Sequence, residues 1–488
     1  MNKLKLYNSI TRRLEEFKPI NDRDVKIYIC GPTVYDSPHV GHARTYVSFD
    51  VIRRVLKNYF NYGVTLTMNI TNIDDKIIKR ANEMNIDYKD LTNKYENEFF
   101  LEMEKLNVLK PDFITRVDDY VEEIKKFIEK LEDDGFAYLA DDKSVYFDIN
   151  KFKEADFNYF VLRPETKKNT VVLEGEKESS VKRNENDFVL WKHSKKGEPE
   201  YESKWGMGRP GWHIECSVMA SEIFGPKLDI HAGGVDLAFP HHENEIAQCV
   251  AYFKDSNWTN YFLHTGHLNI DGRKMAKSLK NFFTISEILE KVSSTVLRFF
   301  FIQHSWDGPM NYDVGQFERA EVTLNKFNTF FSNIDAIILS NSLLKTVSIN
   351  GNDKLMYQKY INLKQNVHTA LCNNINTPKV IELLNSFVSE VNKEINALNT
   401  DILRLIINYI KDMLNLFGIY KEENKSESLV EEKLALVLND YRNDIRRLVK
   451  SNSDKKEYFI LSDNLRNKVS ELGYIIEDTG SKSIIRKK

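Results

Sequence analysis

Val25-Lys26-Ile27-Tyr28-Ile29-Cys30-Gly31-Pro32, running on into Thr33-Val34-Tyr35-Asp36-Ser37-Pro38-His39-Val40-Gly41-His42, is the stretch that decides the fold. Residues 25–30 read as a short buried strand that Gly31-Pro32 stops. A helical pattern then runs from about residue 39 to residue 60, with Val47, Val51, Leu56 and Tyr59 on one side. Residues 64–69 read as a second strand, and helical patterns follow over 74–84 and 87–106. A strand, a turn fit to hold a ligand, a helix and another strand predict an α/β protein built on a doubly wound parallel sheet.

Working outward, this sheet region fills residues 1–117. The rhythm breaks over residues 118–199, where a helix (118–133), strand-like segments (136–139 and 144–148) and a polar stretch (165–186) read as an insertion. Strands at 228–232 and 261–265 and helices at 214–224 and 243–253 restore the rhythm, so the second half of the sheet region is assigned to 200–266. A linking region with a lysine-rich loop spans 267–316. Residues 317–422 are helical in pattern, with polar breaks at 340–353 and 421–428. A small α+β module occupies 429–488.

The 488 residues allow three or four domains, and 42% apolar with 29% charged content is that of an ordinary globular protein. A net charge of −3 gives no global positive field for nucleic acid, although a basic face can hide in a neutral average. Residues 481–488 carry four positive side chains and read either as a solvated tail or as an RNA contact. Four cysteines in so long a chain are not a disulfide framework. The N-terminal residues lack the apolar core of a signal peptide, and no run of 18 apolar residues occurs. The expectation is a cytoplasmic protein without a membrane partner, its thiols reduced and available to a metal.

Two motifs carry phosphate chemistry. At Pro38-His39-Val40-Gly41-His42 a helix begins, offering unpaired N–H groups and a positive dipole end. Gly41 lets a flat base or ribose lie against the backbone. His39 and His42, three residues apart, can face one ligand and stabilise charge growing on a phosphate. Downstream, Asn269-Ile270-Asp271-Gly272 reads as a tight turn before a flexible loop, Lys274-Met275-Ala276-Lys277-Ser278, whose lysines can follow a moving pyrophosphate. Between them Gly233-Gly234-Val235-Asp236 ends a strand where backbone can approach a nucleotide.

A metal set lies between the two motifs. In Pro240-His241-His242-Glu243-Asn244-Glu245, His241 and Glu245 share a helix face and can reach one ion. Cys249 is a rival ligand one turn beyond Glu245. Eight residues of helix separate it from His241, about 12 Å at roughly 1.5 Å per residue. If His241 binds, Cys249 does not. The remaining thiols with a plausible address are Cys30 and Cys216, the latter in Gly211-Trp212-His213-Ile214-Glu215-Cys216.

The two phosphate motifs resemble the HIGH and KMSKS signatures of class I aminoacyl-tRNA synthetases, with Val40 for isoleucine and Ala276 for serine. Two cysteines, a histidine and a glutamate resemble the zinc site of cysteinyl-tRNA synthetases. Cys30–Asp36, Asn69–Ile77, Gly208–Cys216, the Pro240–Glu245 run, Asn374–Pro378 and Leu472–Thr479 also look like that family, so the match covers nearly the whole chain. The resemblance implies a Rossmann-type catalytic domain that activates cysteine with ATP and passes it to tRNA(Cys). His39, His42, Lys274 and Lys277 would be catalytic. Gly41, Gly233, Gly234, Asp236 and Lys277 would hold the nucleotide, and Thr71, Trp212 and His231 would surround the amino acid. Cys30, Cys216, His241 and Glu245 would bind one Zn2+, with Mg2+ accompanying ATP. It implies a monomer whose helical bundle (317–422) binds tRNA and whose last module (429–488) reads the anticodon.

The chemistry gives zinc a reason to be there. Cysteine and serine are nearly isosteric, and an apolar pocket separates close analogues by only about 10–200-fold. A thiol-coordinating ion reads sulfur directly. Two rival readings share parts of the pattern: a cysteine ligase of the same scaffold that joins cysteine to an amino sugar, and a non-catalytic tRNA-binding module.

Overall fold

The computed structural model describes residues 2–163, 181–270, 273–274, 282–312, 314–341, 349–420, 455–471, 474–479, 482–487 and a few isolated positions between 437 and 448. The chain divides into two compact units, Met1–Tyr420 and Lys421–Lys488.

At the centre of the first unit lie five strands, β1 (Asp24–Ile29), β2 (Gly63–Ile70), β3 (Phe113–Arg116), β4 (Leu228–Gly234) and β5 (Thr259–Thr265). All are parallel, in the order β5-β4-β1-β2-β3. The chain leaves β1 in one direction and returns beyond β4 in the other, so a crevice opens past the carboxyl ends of these two neighbours. Buried Val, Ile and Leu along β1, β2 and β4 fit a sheet covered on both faces. The expected doubly wound architecture is present.

Helix α1 (Val40–Arg54) follows β1, α2 (Trp212–Phe224) precedes β4, and α3 (Glu243–Phe253) connects β4 to β5. One apolar core joins a face of the sheet to the helical region, and a second joins the other face to the segment between β3 and α2. That segment holds a four-stranded antiparallel sheet, Ala137–Leu139, Val145–Phe147, Phe188–His193 and Gly208–Pro210. Its last strand lies beyond residue 199, because Gly208 pairs with His193 and bridges to Tyr201. Most of the polar stretch 165–186 lies outside the described residues.

Four long helices complete the first unit: α4 (Val314–Asn341), α5 (Gly351–Cys372), α6 (Thr377–Glu394) and α7 (Thr400–Leu416). They share the first core through residues such as Phe327, Leu371, Leu384 and Ile406. In the second unit, helix Lys455–Glu471 precedes an antiparallel hairpin, Tyr474–Thr479 with Lys482–Lys487. The basic stretch Lys482–Lys487 thus forms a paired strand.

Candidate active site and metal centre

Four side chains converge at the crevice end of β1. Cys30 immediately follows the strand, and Cys216 stands in the second turn of α2. His241 precedes α3 and Glu245 lies in its first turn. All four are buried, and one ligand atom from each lies within 4.8 Å of every other. The two Sγ atoms are 3.6 Å apart, Cys30 Sγ is 3.7 Å from Glu245 Oε1, and His241 Nε2 is 3.1 Å from the same oxygen. Bonds of about 2.0–2.3 Å at tetrahedral angles would put ligand atoms roughly 3.3–3.8 Å apart. The donor set and its spacing therefore fit one tetrahedral ion.

Burial sets the charge of these groups. It pushes the Cys30 thiol well above its usual range and Cys216 up to about 11, raises Glu245, and drives His241 far down. Without a cation, burial favours the uncharged form of each group. A divalent cation reverses that balance by favouring thiolate and carboxylate.

A second layer orients these four side chains. His213 Nδ1 lies 3.1 Å from His241 Nδ1, which turns the other nitrogen of His241 toward Glu245. The Trp212 ring stacks on His241 at 4.5 Å. Glu245 turns its other oxygen to His231 Nε2 at 2.7 Å. His242 Nδ1 reaches His264 Nε2 at 2.8 Å, and His264 Nδ1 reaches Ser9 Oγ at 2.7 Å. Cys249 lies outside the convergent set, buried in the second core. His231 is also fully buried and stacked on Phe262, behind Glu245.

Above the floor opens a cavity of about 560 Å³, lined by Cys30, Cys216, His241, Thr71 and Trp212 at one end and by His39, Gly41, His42, Gly234 and Asp236 at the other. That volume is in the range of small-molecule sites. Thr71 is wired within it. Its hydroxyl donates to Glu215 Oε2 at 3.1 Å and accepts from Asn69 Nδ2 at 3.2 Å. One lone pair remains, so Thr71 can only accept from a ligand. Asn69 Oδ1 accepts from Gly31 N–H at 2.8 Å. Here β1 and β2 leave no room for a side chain: a Cβ on Gly31 would sit 1.6 Å from the Asn69 carbonyl oxygen.

The histidines at the other end are locked by the helix they begin. His39 N-caps α1, its Nδ1 accepting from His42 N–H, while His42 Nδ1 accepts from His39 N–H, both at 3.3 Å. Each neutral ring therefore carries its proton on Nε2. The rings stack at 3.7 Å. The segment after the lysine loop is pinned to the same place, with Val40 N–H donating to Phe283 O, Ile285 N–H to Pro38 O, and the Phe282 ring meeting His39 edge-on at 5.1 Å.

Gly234 and Asp236 line the cavity, and Asp236 Oδ1 lies 3.4 Å from His267 Nδ1. Gly233 sits behind, where a Cβ would meet the His242 ring at 2.9 Å. Asn269 and Ile270 belong to a strand, Leu268–Ile270, that pairs with Arg273–Lys274, so Lys274 stands on a strand, and residues 271–272 of the expected turn lie outside the described residues. Met275, Ala276, Lys277 and Ser278 lie outside the described residues. Sequence reasoning missed Asn69, His213, Glu215, His242 and His264. The available signal was that the first four lie inside the quoted motifs, where no role was assigned to them.

Comparisons agree with this geometry. The model of the class I (C) tRNA synthetase catalytic domain matches residues 16–322. A cysteine–tRNA ligase of Encephalitozoon cuniculi is 47% identical over 485 residues, covering 99% of both chains. One from Methanococcus vannielii is 41% identical over 489 residues, again covering 99% of both. A cytoplasmic cysteine–tRNA ligase of Dictyostelium discoideum is 41% identical, covering 93% of this chain and 73% of its own. Among solved structures, a methionyl-tRNA synthetase of Mycobacterium tuberculosis with methionyl-adenylate matches 77% of this chain and 84% of its own, with a TM-score of 0.58 at 16% identity. That likeness speaks for the fold alone. No helix among the described residues is long and apolar enough to cross a membrane.

Proposed function

The chain belongs to the cysteine–tRNA ligases of the class I tRNA synthetase family, and from that membership we propose how its residues divide the reaction. Cys30, Cys216, His241 and Glu245 hold one zinc ion, a reading supported by two sulfur, one nitrogen and one oxygen donor at tetrahedral spacing. When bound there, zinc supplies a Lewis-acidic, thiophilic site that takes the substrate's sulfur as thiolate and discriminates against a hydroxyl. Thr71, wired as an acceptor, receives the substrate ammonium, and Trp212 closes the side of the pocket. His231 acts from behind by holding Glu245.

ATP, with Mg2+ on its phosphates, lies toward α1. Gly41, Gly233, Gly234 and Asp236 shape the nucleoside side. His39 and His42 donate through Nε2–H to phosphate oxygens, and Lys274 and Lys277 carry charge to the pyrophosphate. The cysteine carboxylate attacks the α-phosphorus, the bond to pyrophosphate breaks, and cysteinyl-adenylate forms. The terminal adenosine hydroxyl of tRNA(Cys) then attacks the carbonyl carbon and AMP leaves. The helical region 317–422 binds the tRNA and the module 429–488 reads its anticodon by stacking on unpaired bases. A cytoplasmic monomer is supported by relatives described as cytoplasmic and by a site built from a single chain.

The observation that carries this reading is the convergence of four buried metal donors on the floor of the cavity that the paired histidines enter. The two rivals lose ground because cysteine–tRNA ligases match the chain over 99% of its length, helical region included. The test is ATP–pyrophosphate exchange. Cysteine should support it, serine should not, and a chelator should abolish it. Exchange that keeps its preference for cysteine after the metal is stripped rejects the zinc assignment.

A further inference from the structure

Arg44 stands one turn into α1, lines the same cavity and is only 2% exposed. Burial draws its guanidinium down to about 10, so it stays charged at neutral pH. Its close acceptors are main-chain carbonyls. Nη1 donates to His267 O at 2.6 Å, and Nη2 donates to Ser305 O at 3.3 Å and to Gly308 O. Those carbonyls belong to two chain segments that cross beside the nucleotide end of the cavity. Gly266 N–H donates to Trp306 O at 3.1 Å and Met310 N–H to His267 O at 2.8 Å, after which the two segments run on as paired strands. The crossing is tight, since a Cβ on Gly266 would lie 2.1 Å from Gly308 O.

The turn at residues 305–308 is gripped from its far side by Asn374, in the connection between α5 and α6. Asn374 O accepts from Trp306 Nε1 at 2.9 Å, and its Nδ2 donates to Asp307 Oδ2 at 2.8 Å. Asn374 sits at φ 59°, and its Oδ1 accepts from Tyr7 N–H at 2.9 Å, so it is itself fixed. Gly266, His267 and Leu268 all line the cavity.

We propose that Arg44 is a positioning residue for the nucleotide, holding the 265–268 wall in place through the 305–308 turn, with Asn374 bracing that turn from the helical region. This inference rests on the ATP site proposed above. Arg44 acts on the wall and not on the phosphates, because the three bonds that fix its guanidinium all run to main chain. Lysine, a point donor without the planar fork, replaces it only in part.

The test uses the full-length, metal-loaded protein. Wild-type cysteine-dependent exchange is measured first, and its absence rejects the proposed function, whatever Arg44 does. Arg44→Met should raise KM for ATP on the order of tenfold to a hundredfold, as for a displaced substrate wall. KM for cysteine and zinc content should stay near wild type. Arg44→Lys should recover part of the loss. Asn374→Ala, which touches no nucleotide, should shift KM for ATP in the same direction by about threefold, a smaller displacement of the same kind. If Asn374→Ala leaves KM for ATP unchanged while Arg44→Met raises it, Arg44 meets the nucleotide directly and the positioning role is wrong. An equal rise in KM for both substrates also overturns it.

Discussion

The two ends of the cavity are built on opposite principles. At the end proposed to take sulfur, the four candidate ligands and the groups that aim them are buried, and their donors are committed to one another. At the end proposed to take phosphate, His39 and His42 are half-buried and Asp236 is exposed. Each end suits its task. A group that tells sulfur from oxygen by coordination must be dry and fixed before substrate arrives, because water competes for an open ion and slack ligands admit the wrong donor. A site for a triphosphate that loses pyrophosphate needs fixed donors at the α-phosphorus and access to solvent for the leaving group.

If the ends are separable in this way, variants should break one without the other. The largest effect is expected from Cys30→Ser or Cys216→Ser. Loss of a group that only hydrogen-bonds to a ligand costs about 10–100-fold in metal affinity, so loss of a ligand should exceed that. Stoichiometric zinc and cysteine activation should both disappear. Retention of one equivalent of zinc, read by elemental analysis, would show that Cys30 or Cys216 is not a ligand. Lys277→Ala should do the reverse, leaving zinc content intact while kcat for exchange drops by about 2.7–4 kcal/mol in barrier terms, as when one preorganised donor is removed. An unchanged exchange rate removes Lys277 from the chemistry.

Thr71→Val sharpens the boundary between the ends. It deletes the acceptor toward the substrate and also leaves Glu215 without its donor, so cysteine binding should weaken by about 1–3 kcal/mol with KM for ATP unchanged. An equal rise in both KM values would mean that the hydroxyl merely holds the pocket together. The last effect concerns stability, and it vanishes at neutral pH. Burial holds His264 down to about 3, well below its usual 6.5. Its folded form resists protonation, so the stability it contributes is complete above about pH 6.5 and is lost as pH falls toward 3. The slope is at most about 1.4 kcal/mol per pH unit. The denaturant midpoint of the wild type should fall over that window, and His264→Asn should flatten the fall. An identical slope in the variant means that other groups carry the acid sensitivity.

The same contrast appears in what could be read from the chain. The phosphate end is nearly continuous in sequence. His39 and His42 are neighbours on one helix turn, and their reciprocal capping follows from that spacing and the preceding strand and loop. The sulfur end is assembled from the end of β1, the second turn of α2 and the start of α3. Helix spacing paired His241 with Glu245 and set Cys249 apart from His241. It left Cys30 and Cys216 only as the remaining thiols with a plausible address, which family resemblance also implied, until the fold placed them 3.6 Å apart. The His264 to Ser9 contact joins residues 255 positions apart and left no local periodicity to detect.

The amino-acid sequence alone determined the alternation of strands and helices, and with it the parallel sheet, the helix that starts at His39 and the helical character after residue 317. Those are set by local propensity, by punctuation at Gly31-Pro32, and by apolar periods short enough to show within a dozen residues. Only the tertiary structure decided which thiols meet the imidazole and carboxylate, that His231 stands behind Glu245, and that Arg44 and Asn374 grip one turn from two sides. Such contacts depend on strand order and on how the helices pack against the sheet, and these emerge from the whole buried core at once and from no single stretch of it.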